Sequence, residues 1–437
     1  MIDPSITSTS YDEMAAKWAL PRALMGGTPA MKKAGNVYLP RHPAENPAVY
    51  NERAKRAVLR NYYRRTVQKI VGRVFANPVM PSTDLPSSIQ NNFKNIDLMG
   101  RGLNAFAQSW FEDALVSGLS YVLVDFPDQN KTAQGNESII RPYAVHIPAE
   151  QVIAVQWDEG SAVPKLSQVR IREKNRDYQG FSEENRERIR VLEPNHWFLL
   201  EETEKGDWQT IDDGANSLGE IPLVTLYSNR TGYMEAVPPL EDLAYLNLEH
   251  YQIRSDQRNA LNVASFPILA ASGYDPEIDG PIEVGPNKVL TTSDPDGKYY
   301  YVESSGAALE AGARELADLE KNIRLFGLQF EQGQGSETAT GRLIDANDAL
   351  SPIAAMTAEL EDSLNSVLRL FAKWSGVEHF GALKMQFSNV ENGTDASGIN
   401  DLLALWKAGV ISQQDIQKEV ISRGIVSDSL AFNAPGV

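Results

Sequence analysis

Residues 221–261 read IPLVTLYSNRTGYMEAVPPLEDLAYLNLEHYQIRSDQRNAL, and the pattern changes in the middle of this stretch. Before it, from about 141 to 227, short alternating runs such as YAVHIP, QVIAVQW, HWFLLEE and VTLYS are separated by turn residues, which predicts an antiparallel meander. After it, Pro238-Pro239 opens a helix that extends to about Ala264. A run of strands followed by long helices indicates an α+β fold.

The part of the chain before the meander is predicted to be mainly helical. The first 46 residues are rich in Pro, Gly, Ser and Thr and predict an extended arm with one short helix near residues 11–20. Residues 47–76 predict one long helix that stops before Asn77-Pro78. Another helix, at about 97–117, precedes the compact strand SYVLVDFP.

The part after the first long helix alternates between strand and helix. A Pro- and Gly-rich strand segment fills about 265–306, and a helix follows from Ala307 to Phe330. The loop EQGQGSETATG, residues 331–341, is too polar and glycine-rich to stay helical. The next helix ends at Trp374 and contains Pro352, which predicts a kink, and a helical hairpin closes the chain.

Composition excludes several classes of protein. The chain has 437 residues, 42% of them hydrophobic, which predicts two to four domains or lobes rather than one small binding module. Lys and Arg total 41 against 58 Asp and Glu, a net charge of −17. A protein that grips nucleic acid over most of its surface needs the opposite balance, so tight DNA binding is not expected.

Motifs for catalysis, cofactors and membranes are not found in the sequence. There is no cysteine, and the five histidines never stand at i,i+4 spacing. A Walker-type loop and a G-x-S-x-G elbow are missing, the start lacks the features of a signal peptide, and no run reaches about 18 apolar residues. We therefore expect a soluble, unsecreted protein that is not an enzyme, with no catalytic residue, no cofactor and no metal.

Charge is unevenly distributed along the chain. The predicted helix over 47–76 carries eight basic residues and one acidic residue, a net charge of +7. Four of its arginines recur at spacings of three and four and would share one face: Arg53, Arg56, Arg60 and Arg64. This face would be either a solvated surface neutralised by acidic neighbours or a docking face for an acidic subunit or packed DNA. Residues 275–303 and 331–375 are instead acidic, with net charges of −5 and −4.

This order of elements resembles the portal proteins of tailed bacteriophages, and in particular a portal family long catalogued only as a domain of unknown function. The likeness lies in four segments: YNERAKRAVLRNYYRRTVQKIVGRVF at 50–75, FEDALVSGLSYVLVDFP at 111–127, the stretch quoted first at 221–261, and SGAALEAGARELADLEKNIRLFGLQ at 305–329. It extends over about residues 50–375.

The resemblance implies a division of the chain into the parts of a portal. An α/β wing would contain residues 1–238 and the kinked helix at 342–375. The two stem helices would be residues 239–264 and 307–330, with a small β-containing clip at 265–306 and a tunnel loop at 331–341. Residues 376–437, the C-terminal helical hairpin, would form the crown.

The resemblance also implies a function, a location and partners. Portals form rings, commonly dodecamers, at one capsid vertex of the virion, and they serve as the DNA channel for genome packaging and ejection. The implied partners are the terminase large subunit, head-completion or adaptor proteins, the major capsid and scaffolding proteins, and double-stranded DNA that passes without sequence specificity. No membrane is involved.

Particular residues are candidates for these roles. The tunnel-loop candidates are Glu331, Gln332, Gln334, Ser336, Glu337, Thr338 and Thr340, and the acidic channel candidates are Glu310, Glu315, Asp318, Asp345 and Asp348. The clip interface candidates are Val289, Leu290, Tyr299, Tyr300 and Tyr301, in strands that would pair either within the chain or with neighbours. An acidic wall suits a channel, because each neutralised phosphate would add affinity for DNA.

Two other hypotheses remain open on the sequence. A monomeric carbohydrate- or nucleotide-processing enzyme could use the β meander as its substrate platform, and it would need a concave pocket with perturbed carboxylates. A packaging ATPase or nuclease would need a Walker-type loop or a clustered acidic metal site, and the sequence has neither. The mass of the purified assembly would separate these hypotheses from a portal ring.

Overall fold

The N-terminal third of the chain is helical in a computed structural model, which describes residues 3–126, 141–158, 160, 163–203, 206–265, 268–282, 289–302, 306–332, 352–386 and 406–407. Helix α1, Thr9–Ala34, begins where the Ser8 hydroxyl accepts the Tyr11 N–H, and it kinks at Gly27, whose φ is 71°. The predicted extended arm is therefore wrong. These residues stay helical because Met14, Trp18 and Leu24 bury one side of the helix.

The single helix predicted over residues 47–76 is also wrong. Helix α2, Pro47–Arg56, ends where Ala57 turns to an extended conformation, and helix α3, Tyr62–Val74, begins where the Asn61 side chain accepts the Arg64 N–H. Ala57 and Leu59 between them are buried. Burial of these two side chains and the Asn61 cap favour a break that helical periodicity does not reveal.

The next elements lead to the sheets. Strand β1, Met80–Pro81, and the short helix α4, Ser87–Gln90, precede helix α5, Leu103–Ser117. The predicted start of α5 near residue 97 is too early, because the Asp97 carboxylate accepts the N–H groups of Met99 and Arg101 and holds a turn there. Gly118, with φ of 91°, ends the helix as predicted.

Two antiparallel sheets form the strand-rich part. One has three strands in the order β3-β2-β9, and the other is a five-stranded meander in the order β4-β5-β6-β7-β8. Their bounds are β2 Leu119–Asp125, β3 Tyr143–Ile147, β4 Val152–Asp158, β5 Lys165–Gln179, β6 Ser182–Leu192, β7 His196–Glu202, β8 Trp208–Ala215 and β9 Leu223–Tyr227. The predicted meander is confirmed for β4 to β7. The runs YAVHIP and VTLYS instead flank the buried strand β2.

Residues 212–214, Asp-Asp-Gly, have a sequence typical of a turn, but they lie inside β8. Residues 212–214 pair with Leu199, Phe198 and Trp197 of β7. A Cβ atom at Gly214 would lie 2.8 Å from the Trp197 indole nitrogen, so the glycine makes room for the ring on the sheet surface. Its position in a strand follows from a tertiary contact rather than from local turn preference.

Helices connect the two sheets into one core. Met14 and Trp18 of α1 pack with Leu119 and Tyr121 of β2, and with Val169 of β5. The Trp18 indole N–H donates to the Ser117 carbonyl at 2.7 Å, and the Tyr11 hydroxyl donates to the Glu150 carbonyl at 3.0 Å. Helix α1 therefore fixes the end of α5 beside the meander.

The remaining elements include the two long helices and the strand pair between them. Strands β10, Arg230–Gly232, and β11, Glu235–Ala236, precede helix α6, Glu241–Ala264. Strand β12, Ile268–Ser272, pairs with β13, Lys298–Val302, and helix α7 is Gly306–Gln332. Helix α8, Pro352–Trp374, and strand β14, Leu383–Lys384, complete this part, and β14 pairs with β1.

Two of the predicted features fall on residues that are not described. Helix α8 begins at Pro352, a favoured first position, and the predicted kink concerns the residues before it, outside the described range. Residues Met1–Met385 form one unit and Gln386–Val437 a second. The predicted helical hairpin belongs to the second unit, of which only Gln386, Trp406 and Lys407 are described. Among the described helices, none combines the length and apolarity that a membrane crossing requires.

Candidate functional site: the helix pair and its strand hairpin

Helices α6 and α7 lie side by side and antiparallel. Gln257 donates its side-chain amide to the Leu309 carbonyl at 2.7 Å, and His250 Nε2 lies 3.1 Å from a Glu320 carboxylate oxygen. Gly312 faces Gln257 closely, since a Cβ there would lie 2.3 Å from the amide oxygen. The missing side chain lets the two helices approach each other at this level.

Burial decreases along the pair towards the hairpin. At the end near the body of the protein, Leu243, His250 and Tyr251 are fully buried in α6, and Leu319 and Ile323 are buried in α7. At the other end, residues such as Arg258, Leu261, Glu310 and Arg314 are exposed. In the described part of the chain, the distal halves of these helices therefore have little core beyond their contact with each other.

Arg53 does not belong to an exposed basic face. Its side chain is 6% exposed, and its guanidinium contacts Glu45 at 2.9 Å and Asp256 at 3.0 Å. The hydrogen bond with Glu45 raises the pKa of Arg53 above its ordinary value, because it stabilises the charged form. Arg53 therefore joins α2 to α6, and the proposed docking role for this residue is wrong.

The other three predicted arginines are exposed but lie on different elements. Arg56 ends α2 and donates to the Glu52 carbonyl, Arg60 pairs with Glu320 of α7 at 2.6 Å, and Arg64 lies in the first turn of α3. The break at residues 57–61 removes the single helical face that the spacing predicted. Part of the charge is neutralised within the chain, as one of the two sequence interpretations allowed.

A buried polar contact fixes the helix pair to the body. The His250 side chain is completely buried, and burial lowers its pKa below the ordinary value although Glu320 opposes this. Burial raises the pKa of Glu320, but hydrogen bonds from His250 and Tyr62 and the charge of Arg60 outweigh it, so that pKa lies below its ordinary value. A neutral His250 therefore donates from Nε2 to an ionised Glu320.

Sequence reasoning missed two arginines of α6. Arg254 and Arg258 stand four residues apart. Burial lowers the pKa of Arg254 below its ordinary value, and the positive charges of Arg60 and Arg258 lower it further. Arg258 lines a small surface cavity together with Arg53 and Arg56. The i,i+4 spacing of Arg254 and Arg258 could have been noticed, whereas their proximity to the end of α2 could not.

The acidic channel candidates that are described lie in α7. Glu310, Glu315 and Asp318 are exposed, and Arg314 and Lys321 stand between or beside them at helical spacings. This exposed side of α7 therefore carries alternating rather than purely negative charge. Asp345 and Asp348 lie outside the described residues, and whether any of the five candidates faces a channel remains a prediction.

Most of the tunnel-loop candidates cannot be placed. Glu331 and Gln332 are the last two residues of α7. Gln334, Ser336, Glu337, Thr338 and Thr340 lie outside the described residues. The first two residues of the predicted loop are therefore helical, and the rest of it lies outside the described residues.

The clip candidates lie on and beside the hairpin between the two helices. Tyr299, Tyr300 and Tyr301 of β13 pair with Ala271, Ala270 and Leu269 of β12, so these strands pair within the chain. Of the two pairings that the sequence allowed, the described strands adopt the intrachain one. Tyr300 and Tyr301 remain about half exposed, and Val289 is 85% exposed. The outer edge of each strand has no other strand paired with it among the described residues.

A Ser-His-Asp cluster lies at the junction of α5, β2 and β3, but its geometry is not catalytic. The fully buried Ser120 hydroxyl donates to Asp113 at 2.6 Å and lies 3.0 Å from His146 Nε2. In a catalytic triad the carboxylate orients the histidine through the other ring nitrogen, whereas here it binds the serine directly. Asp113 also pairs with Arg22 of α1 at 2.5 Å, so the cluster holds elements together.

Among the described residues, no group of three or more histidine, aspartate or glutamate side chains could hold a metal ion. A surface pocket is lined by Ser228, Arg230 and Glu359, and burial raises the pKa of Glu359 above its ordinary value. This is the kind of perturbed carboxylate in a concave site that the enzyme hypothesis requires.

Comparison with known proteins gives one family match and several similar structures. A family model described as a domain of unknown function (DUF4055) matches residues 239–375, the range from α6 to α8. Comparison with curated proteins gives no match. The chain is similar to chains in the virion of the native gene transfer agent (GTA) particle, the neck of the empty GTA particle computed with C6 symmetry, and the neck of the native GTA particle computed with C12 symmetry.

These structural similarities are distant. The respective sequence identities are 12%, 14% and 13%, and the TM-scores are 0.41, 0.42 and 0.41. Each covers 83% of this chain and 89% of the other. Because these TM-scores lie below 0.5, the function proposed for this chain rests on its own residues and not on these similarities.

Proposed function

We propose that the chain is a portal protein: a subunit of a ring at one capsid vertex of a phage-like particle. The ring would be the channel through which double-stranded DNA enters and leaves, and a docking platform for terminase and head-completion proteins. The observation that carries the proposal is the helix pair α6–α7, whose distal halves expose both flanks and end in a two-stranded hairpin. Two helices and two strands need neighbours to gain a core.

Exposed apolar side chains on the pair support lateral packing. Tyr245 and Leu261 of α6 and Leu325 of α7 are each more than 40% exposed. Tyr245 and Leu325 stand near the body and Leu261 near the hairpin, so a neighbour packed along the pair would cover apolar side chains at both ends. In a closed ring each helix pair would gain neighbours on both sides, and these side chains would leave water.

Charge supports a channel rather than a DNA-binding surface. The whole chain has a net charge of −17, and the exposed side of α7 alternates in sign. Neither gives a continuous row of cations along which a phosphate backbone could be held. DNA could therefore slide past such a surface without being retained by it.

The parts of a portal map onto the described elements as follows. Elements α1 to β11 and helix α8 would form the wing, α6 and α7 the stem, and the β12–β13 hairpin the clip. The tunnel loop would lie between α7 and α8, and the crown after residue 376. Such a ring would stand at the portal vertex of the virion.

The test is the oligomeric state of the purified full-length chain. Negative-stain images and native mass measurements should give a ring, with twelve subunits as the expected number, rather than a 48.3 kDa monomer. A chain that stays monomeric at high concentration and alongside its capsid and scaffolding proteins would contradict the proposal.

The clip gives a second test that does not depend on ring counting. Replacing residues 268–302 with a short Gly-Ser linker should leave the body folded, because no described residue of this segment is among the buried core side chains. The expected result is loss of binding to the terminase large subunit in a pull-down. Retained binding would move the docking surface elsewhere.

A further inference from the structure

Helix α6 has two dissimilar sides. Asn247, Tyr251 and Ser255 recur at spacings of four and face α2 and α3, as shown by the 2.9 Å hydrogen bond between the Tyr63 N–H and Asn247. Asp242, Tyr245, Glu249 and Gln252 recur at spacings of three and four on the other side. The Tyr38 carbonyl of the same chain accepts from Gln252 at 3.1 Å on this outer side, while Asp242, Tyr245 and Glu249 remain exposed.

The outer side of α6 forms an open groove. Its floor contains Tyr245, Leu248 and Phe326, and Asp242 and Glu249 stand at its rim. Tyr245 is 57% exposed, and neither rim carboxylate has a cationic partner among the described residues. We call this the acidic groove. Such a surface fits a partner segment that presents an apolar side chain between cations.

The segment that links α2 to α3 has that complementary pattern. Ala57 and Leu59 point into the core, while Arg56, Val58 and Arg60 point outwards in alternation. Val58 is 49% exposed. Arg258 of α6 lines the same small cavity as Arg56 and has no acidic partner in the described part of the chain. We call Arg56, Val58, Arg60 and Arg258 the basic ledge.

We propose that the basic ledge of one subunit docks in the acidic groove of the next subunit of the ring. This inference rests on the proposed function, because it assigns the contact through which a portal ring would close. The occupant of the groove is a second copy of this chain. The two surfaces lie on different sides of α6, so one copy cannot satisfy both, and head-to-tail repetition of such a contact generates a ring.

The energetic roles of the two parts of the contact differ. Val58 and Tyr245 are exposed apolar side chains that would be removed from water, which favours association. Arg56 and Arg258 would face Asp242 and Glu249, and these opposite charges would select the register and exclude other pairings. Arg60 is already paired with Glu320, so it would guide the approach rather than add a new partner.

Charge reversal tests this contact. One variant carries Asp242→Lys and Glu249→Lys, a second carries Arg56→Glu and Arg258→Glu, and a third carries all four changes. We expect each double variant to need about tenfold or more protein for half assembly, because like charges then oppose each other at every interface. The quadruple variant should recover assembly, since the opposite charges are restored with exchanged sides.

The matched control is Lys17→Glu with Lys33→Glu, which changes the net charge as much as the second variant at two exposed positions of α1. Sedimentation velocity gives the assembled fraction, and circular dichroism verifies that each variant is folded. Double variants that assemble like the wild type, or a quadruple variant that does not recover assembly, would contradict the proposed contact but not the proposed ring. A wild-type protein that never assembles would contradict the proposed ring, and therefore the contact as well.

Discussion

Single buried ionic residues determine how the helices of this chain are joined. Arg53 connects α2 with Glu45 and Asp256, Glu320 connects α7 with His250 and Arg60, and Asp113 connects α5 with its neighbours. Each carboxylate or guanidinium has partners from other elements. Because a buried charge without partners is costly, removing one residue of such an ionic contact should lower the free energy of unfolding more than removing an exposed charge.

The first prediction concerns Arg53. Arg53→Met should lower the free energy of unfolding by about 3 kcal/mol, because Glu45 would remain largely buried without its cation. Arg65→Met, an exposed change in α3, should alter it by no more than about 0.5 kcal/mol. Urea denaturation followed by tryptophan fluorescence measures both. Equal effects of the two variants would contradict the assigned role of Arg53.

The second prediction concerns Asp113 and pH. Burial raises the pKa of Asp113, but the hydrogen bond with His146, the charge of Arg22 and the hydrogen bond from Ser120 outweigh it, so the pKa is below its ordinary value of 3.8. The contribution to stability is therefore complete above about pH 5 and is lost as pH falls through the lowered pKa. Asp113→Asn should destabilise the protein by about 2 kcal/mol at pH 7.

The pH dependence gives this prediction its decisive measurement. Urea denaturation of wild type and Asp113→Asn at several pH values between 7 and 3 should show the difference in unfolding free energy shrinking only at the acidic end. A difference that stays constant over this range would mean that the ionised carboxylate is not what stabilises the site.

At the scale of elements, the joints between helices and strands depend on close backbone approaches. Gly118 separates α5 from β2, and a Cβ atom there would lie 2.7 Å from the backbone of Val237, just before α6. Its φ of 91° also lies in the region that favours glycine. One residue therefore determines both the end of a helix and the spacing to the next part of the chain.

The third prediction follows from this joint. Gly118→Ala should lower the free energy of unfolding by about 2 to 4 kcal/mol, because it combines backbone strain with a steric clash. Gly72→Ala, in α3 with open space around it, should instead raise it by about 0.5 to 1 kcal/mol. Thermal unfolding of both variants checks the contrast. A Gly118 variant as stable as the wild type would show that Val237 moves without cost.

Local pattern was sufficient for some elements and insufficient for others. Strand β2, the meander strands β4 to β7 and helix α6 were predicted from alternation and from the Pro-Pro start, because their signals lie within the element itself. The break between α2 and α3 depends on where Ala57 and Leu59 are buried, and the long α1 depends on partners 99 and 139 residues away. Such tertiary contacts leave no local trace.

The same limit applies to the candidate site. The two helices were predicted correctly, and the hairpin between them is one of the two strand pairings that the sequence left open. The basic face was wrong, since Arg53 has its partners on α6 and before α2. Arg258 belongs to this site because it lies beside the end of α2, and that proximity leaves no signal in the sequence. Charge spacing identifies which residues share a helix face, but it does not identify what that face contacts.

At the scale of the whole molecule, the proposed ring would couple charge to assembly. A ring of chains with net charge −17 would repel DNA at long range, while the contacts within each chain and the proposed contact between copies would use the few concentrated cations. The basic residues would therefore serve the protein's own assembly, leaving the channel without a surface that holds phosphates.

The fourth prediction is that the purified full-length protein binds duplex DNA only weakly. Fluorescence anisotropy with labelled duplex of random sequence should give a Kd no tighter than about 1 μM at physiological salt. Its dependence on salt concentration should be shallow, because few phosphates would be neutralised. Submicromolar binding with a steep salt dependence would mean that the exposed arginines hold DNA, and it would contradict the channel interpretation.

Helix α1 has a consequence for the order of events during synthesis. It leaves the ribosome well before its partners, because Trp18 binds Ser117, Tyr11 binds Glu150, and Ser10 binds Glu235. More than half of the chain must therefore emerge before α1 can dock completely. Until then the apolar side of α1 stays exposed to solvent and is prone to non-specific association. A chaperone that covers this helix would be needed most during that interval.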